Sequence, residues 1–187
     1  MCTTTPRVGA ARGTLPADCK SLTSGVAFFD LSRLAEWASD EQDQSVAAFL
    51  QDFYALAEKT LNPAGIRIVK FMGDAGLCVF PPDRADAAVA ALCELTGQAR
   101  ALALQLGYDA YLNVNVHAGP VLEGSFGAPG KERFDVIGKT VNIAARLGRR
   151  GVTLSAQAFR LLGTEAREAF DKVKPPITYR FRGRRTR

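Results

Sequence analysis

Apolar residues along this chain fall into blocks with two spacings. Residues 25–31, from Gly25 to Leu31, form a short apolar run broken only by Asp30, the form of a strand buried on both faces. From Ser45 to Leu61 the apolar positions recur at helical spacing, at Val46, Phe49, Leu50, Phe53, Leu56 and Ala57, and Asn62-Pro63-Ala64-Gly65 stops that helix. Two strand-like runs, 66–72 and 76–80, are separated by Gly73-Asp74-Ala75, which predicts a hairpin with Asp74 at its tip. Pro81-Pro82 ends the second run, and an alanine-rich helix is expected over 84–106. The alternation from Tyr111 to His117 predicts a strand, with 121–126 continuing the sheet after Gly119-Pro120. A Gly/Pro/charged loop at 127–133 precedes a short strand at 134–137 and a helix at 139–148. The remainder predicts a strand at 152–154, a helix at 156–170 and a strand at 177–182. This order predicts an α+β fold with a ferredoxin-like βαββαβ core and additional elements. Residues 1–20 lack periodicity and predict a loose arm, leaving 21–187 as one domain.

Composition changes this picture little. A chain of 187 residues at 47% hydrophobic and 23% charged can bury a substantial core. The net charge is +5, and much of the excess lies in Tyr179–Arg187. Such a stretch is either a solvated basic tail or a source of arginines for phosphate. The four cysteines form no metal or disulfide spacing, and Cys78 and Cys93 fall in apolar patterns, so a reducing compartment is expected. No secretory leader or membrane-spanning run is evident, and the expectation is a cytoplasmic protein with neither membrane nor nucleic acid as partner.

The chemistry concentrates in three places. Asp30 and Asp74 each sit where a strand meets a turn. One such aspartate is usually a turn former. Two on adjacent strands would repel without a cation between them, and suit Mg²⁺, which takes few protein oxygens and leaves the rest to phosphates. Asn142 and Arg146 are four apart and share a helix face within an otherwise apolar segment expected to be buried, where a guanidinium needs an anion. Lys70 lies inside an apolar strand, on the face of Ile68 and Met72 by simple alternation. It reads equally as a pocket donor or as an edge lysine. His117, the only histidine, reads as structural. Gly124, Gly127 and Gly130 lack dinucleotide-fold spacing, and no P-loop motif is present.

Taken together, these segments resemble the class III nucleotidyl cyclases, the adenylate and guanylate cyclase catalytic domain, from about Ser24 to Gly183. Residues 28–31 resemble the first metal motif, and 70–74 the second, with a base-selecting lysine four residues before the aspartate. Residues 117–121 resemble the strand-turn motif, and 135–147 the most specific signature. The resemblance implies that Asp30 and Asp74 hold two Mg²⁺ or Mn²⁺ ions and that Lys70 and Asp135 face the base. It also implies that Asn142 orients the ribose, that Arg146 stabilises charge on the phosphates and that Arg182 binds triphosphate. Phe29, Leu31, Ser32 and Arg33 occupy the phosphate-wrapping turn, Arg33 standing where the family has glycine. A lysine donating to adenine N1 and a carboxylate accepting from its amine favour ATP, since guanine presents the reverse pattern. The implied activity is adenylate cyclase, forming 3′,5′-cyclic AMP and pyrophosphate. It implies shared sites in a head-to-tail, two-fold homodimer. With no regulatory domain evident, the expectation is a protein that acts alone, is controlled by a separate domain or protein, or is a fragment of a longer one. The alternatives are a cyclase preferring guanylate or pyrimidine nucleotides, a catalytically weak nucleotide-binding domain, and a palm-type polymerase domain, against which the 135–146 signature argues. The few residues after Gly183 suggest a sheet lacking a final edge strand.

Overall fold

The computed structural model describes residues 14–148, 151–173 and 176–183. Its elements run β1 (Lys20–Leu31), α1 (Leu34–Ala38), α2 (Asp43–Leu61), β2 (Arg67–Met72), β3 (Ala75–Phe80), α3 (Ala85–Leu104), β4 (Leu112–Phe126), β5 (Arg133–Ile137), α4 (Lys139–Ala145), β6 (Val152–Ser155), α5 (Ala156–Leu161), α6 (Thr164–Arg167), β7 (Phe170–Val173) and β8 (Thr178–Phe181). The strands among the described residues form one sheet in the order β2-β3-β1-β4-β6-β8-β7, with β5 pairing β4 off that path. The first four strands in this order are the ferredoxin-like core that the sequence predicts.

β1 is the spine, pairing antiparallel with β3 on one side and β4 on the other. Its side chains therefore enter two different cores. Ala27, Phe29 and Leu31 join Phe49 and Phe53 of α2 and Val89, Leu92 and Leu95 of α3. Val26 faces the opposite side with Leu77, Val79, Val121, Val136 and Ala144. α3 is long and apolar enough to cross a membrane by length and composition, yet eight of its residues, Ala85 to Ala103, are buried within the domain.

Two glycines are demanded by close approach across β1 and β3. Gly76 stands opposite Phe29, and a Cβ there would come within 2.1 Å of that ring. Gly25 stands in the same relation to Phe80, at 2.2 Å. Each ring covers its partner's bare backbone. Gly76→Ala is expected to destabilise the fold by about 1–3 kcal/mol through overpacking against a buried aromatic, read by chemical denaturation. An unchanged midpoint would contradict this packing.

Several expectations need correction. The first strand begins at Lys20, five residues early, because it pairs with β4 as far as Glu123. The end of the expected arm is tied down as well, since Ser125 N–H donates to both carboxylate oxygens of Asp18. Residues 1–13 of that arm lie outside the described residues. β4 runs unbroken through Gly119 and Pro120. The expected 156–170 helix is interrupted at Leu162 and Gly163, giving α5 and α6, and its last residue starts β7. β7 pairs with β8 and forms one end of the sheet order. The final strand expected to be lacking concerns residues after Gly183, of which 184–187 lie outside the described residues.

β2 has a register shift between Ile68 and Lys70. That bulge puts Ile68 on the α2/α3 side while Lys70 pairs with Leu77 on the other face, so Lys70 shares a face with Met72 and not with Ile68.

Candidate active site

The face of the sheet away from α2 and α3 carries the polar chemistry. Asp30 is exposed at the end of β1, opposite Ala75 on β3. The first and second strands are not neighbours as expected, because β3 lies between them. Asp74 arrives instead through the β2–β3 turn, where Leu31 N–H donates to its carbonyl at 3.2 Å. Tyr54 of α2 anchors that turn by donating to the Gly73 carbonyl at 2.6 Å, its ring stacked on Phe71. The neighbouring turn is held by Tyr108, which donates to the Ser32 carbonyl, and by Tyr111, whose N–H donates to Ser32 Oγ. Trp37 stacks on Tyr108 beneath it. An aromatic layer thus fixes both aspartate turns.

Burial pushes the Asp74 carboxyl above its usual range, and the negative charge of Asp30 adds to the shift. Two hard oxygen donors that strain against each other suit a divalent cation of the Mg²⁺ or Mn²⁺ type. No group of three or more His, Cys, Asp or Glu among the described residues could hold a metal. The pair would therefore draw its remaining ligands from water and substrate phosphates. Asn113 Nδ2 donates to Asp30 Oδ2 at 3.3 Å, leaving the other carboxylate oxygen free.

A cleft of about 630 Å³ opens beside Asp30, lined also by Leu31, Ser32, Arg33, Asn113, Asn115, Ala145, Arg146 and Gly148. Arg33 has φ 65°, the sole positive value among described non-glycine residues. Its guanidinium pairs with Glu36 at 2.7 Å. Glycine takes this left-handed backbone conformation without the steric cost that a side chain brings, so Arg33 holds it under strain. Arg33→Gly is expected to raise the melting temperature by about 2–4 °C, measured by calorimetry. A fall would show that the Glu36 pair outweighs the strain.

Lys70 and Asp135 meet directly. Lys70 Nζ lies 2.6 Å from Asp135 Oδ2, with both side chains partly open to solvent, and Asp135 Oδ1 accepts from Val136 N–H. This pair does not line the cleft.

α4 docks through Thr140 and Ala144, its two buried residues, with Thr140 Oγ1 donating to the Pro120 carbonyl. The segment expected to be buried is consequently open on its other side. Asn142, Ile143, Ala145 and Arg146 are exposed, because a seven-residue helix resting on the sheet can bury only the stripe that faces it. Phe29 also departs from expectation. Its side chain is fully buried in edge contact with Phe53 and Phe71, so only its backbone is near the turn. Arg182 lies at the far sheet edge, 3.6 Å from Asp171, and does not line the cleft. Arg184, Arg185 and Arg187 of the basic tail lie outside the described residues.

His117 is buried, its Nδ1 2.8 Å from Ser155 Oγ, and Ser155 accepts from Ala158 N–H to cap α5. Burial lowers its pKa, and the ring has a structural place between β4 and β6. Cys78 and Cys93 are core thiols, both pushed up to about 12 by burial.

The family model for the adenylate and guanylate cyclase catalytic domain matches residues 20–175. The chain belongs to that family. An uncharacterised protein of Mycobacterium tuberculosis, Rv1319c, is 32% identical over 132 residues, covering 66% of this chain and 23% of that protein. The chain thus spans about a quarter of the curated relatives it matches. Among solved structures, the adenylyl cyclase CyaB from P. aeruginosa superposes with TM-score 0.78 at 18% identity, over 90% of this chain and 98% of the other. The guanylyl cyclase Cya2 gives TM-score 0.77 at 19% identity, over 89% and 94%. This cyclase domain therefore has structural neighbours of both base preferences.

Sequence reasoning missed Asn113 and Asn115. Their signal was available as two asparagines, two apart, in the otherwise apolar strand 112–116. The close packing of Tyr54 and Tyr108 under the turns leaves no comparable mark.

Proposed function

We propose that this domain converts ATP to 3′,5′-cyclic AMP and pyrophosphate at sites shared between two copies of the chain. The observation that carries the base assignment is the Lys70–Asp135 contact at 2.6 Å. A donor and an acceptor side by side match the N1 and amine edge of adenine, and each would exchange its partner for the base. Asp30 and Asp74 would hold two Mg²⁺ or Mn²⁺ ions, which when bound acidify the ribose hydroxyl and offset charge on the phosphates. Backbone groups of the Leu31–Ser32 turn, with Arg33, would wrap the phosphates. Arg146 would meet charge building during pyrophosphate departure, a role suited to a pre-placed cation. Asn142 would orient the ribose. Arg182 is left as a triphosphate contact only if it exchanges Asp171 for phosphate.

Two features favour a two-fold, head-to-tail homodimer. The base pair lies outside the cleft that contains Asp30. Met72, Ile137 and Ile143 are between 43% and 46% exposed, on or beside the elements of this same face, and need cover. Control by a separate domain or protein fits a cyclase unit that matches only part of longer relatives. A cytoplasmic location follows from the nucleotide it would consume.

The test is incubation of purified protein with all four common nucleoside triphosphates and Mn²⁺, with products read by mass spectrometry. Cyclic AMP should dominate. An excess of cyclic GMP or a cyclic pyrimidine nucleotide would overturn the base assignment, and no cyclic product at all would favour a nucleotide-binding domain.

A further inference from the structure

Asn113 and Asn115 stand two residues apart on β4, so both amides emerge on the face of Asp30. They have different partners. Asn113 donates to Asp30, whereas Asn115 Nδ2 donates to the Gly148 carbonyl at 2.8 Å. That second bond fixes the amide's orientation, since a flip would set oxygen against oxygen. The Oδ1 atom is thereby left over. Asn115 is only 4% exposed, lines the cleft with Asp30, Arg33 and Arg146, and its Oδ1 has no hydrogen-bond partner. A buried amide oxygen without a donor is costly and uncommon.

The chemistry of that atom narrows its ligand. An amide oxygen only accepts, so it repels a triphosphate, which at neutral pH offers no donors. The donors on a nucleotide are base N–H groups and ribose hydroxyls. The base belongs to Lys70 and Asp135, which are outside this cleft. Of the two hydroxyls, the 3′ oxygen must sit against the metal carboxylates to attack the α-phosphate. Asn115 is set back from them, about 7 Å along the strand from Asn113. We propose that Asn115 Oδ1 accepts a hydrogen bond from the ribose 2′-hydroxyl and so selects ribonucleotides over 2′-deoxyribonucleotides. This rests on the nucleotide reading given above.

A pair of analogues isolates the contact without turnover. 3′-Deoxy-ATP and 2′,3′-dideoxy-ATP both lack the nucleophile and differ only at the 2′ position. Their dissociation constants would be measured by calorimetry with Mn²⁺. The wild-type protein should bind 3′-deoxy-ATP about 10-fold more tightly, and Asn115→Ala should bring that ratio close to one. Equal affinities in the wild type would overturn this proposal alone, since water would then satisfy Oδ1, and that readout stands even if Asn115→Ala fails to fold. A folded Asn115→Ala that keeps the 10-fold ratio would also overturn it. Binding of neither analogue would overturn the nucleotide reading, and this proposal with it.

Discussion

Asp74→Asn is expected to lower kcat by about 10³-fold while raising the melting temperature of the unliganded protein. The two effects share one cause. Burial and the charge of Asp30 hold the Asp74 carboxyl above its usual value of 3.8, so its ionised form costs folding free energy at neutral pH. The neutral amide removes that cost but cannot grip a divalent cation as a carboxylate does. The sign with pH follows. A carboxyl whose pKa is raised on folding destabilises the native state above the unfolded pKa, and the penalty disappears once both states are protonated. The stability gain of Asp74→Asn should therefore be present at pH 7 and fade as pH falls through the raised pKa toward 3.8. Mn²⁺ with a triphosphate analogue should reverse the order, stabilising the wild type and leaving the variant little changed. A variant less stable than wild type at pH 7 would show that Asp74 holds the turn together and is not strained within it.

Lys70→Ala and Asp135→Ala should each reduce kcat/KM for ATP by about 10- to 100-fold, the worth of one hydrogen bond to a charged group. Turnover of GTP should fall much less, so that the preference between the bases narrows in both variants. Stability should hardly move, because the pair is partly exposed, with side chains 41% and 30% accessible, and such ion pairs contribute about 0–1 kcal/mol. Steady-state kinetics with both nucleotides distinguishes this from a general loss. Equal reductions for ATP and GTP would remove the pair from base selection.

What the sequence revealed depends on how far each signal reaches. α2 and α3 were legible because their apolar residues repeat over four or more turns. The hairpin carrying Asp74 was legible from Gly73 and the flanking apolar runs. α1 was not, since five residues give too short a pattern. β7 was hidden because Phe170 to Val173 has no alternation of its own and is defined by pairing with β8. The bulge that turns Lys70 away from Ile68 is likewise a property of two strands together. At the site, the charged residues were visible as motifs, whereas their surroundings were not. Nothing local says that Phe29 turns into the core while Asp30 turns out, until β1 is known to separate two cores. The exposure of α4 could not be read from its apolar composition, because an apolar stripe left open at the surface looks the same in sequence as one buried in its own domain.

The most direct test of the shared site is complementation. Asp30→Ala and Arg146→Ala should each be inactive alone. Mixed in equal amounts and allowed to exchange, they should recover about one quarter of wild-type activity, since half the dimers are mixed and each has one intact site. No recovery, with mixed dimers demonstrated by mass spectrometry, would contradict the account and place Arg146 at work in its own chain, where it already borders the cleft of Asp30.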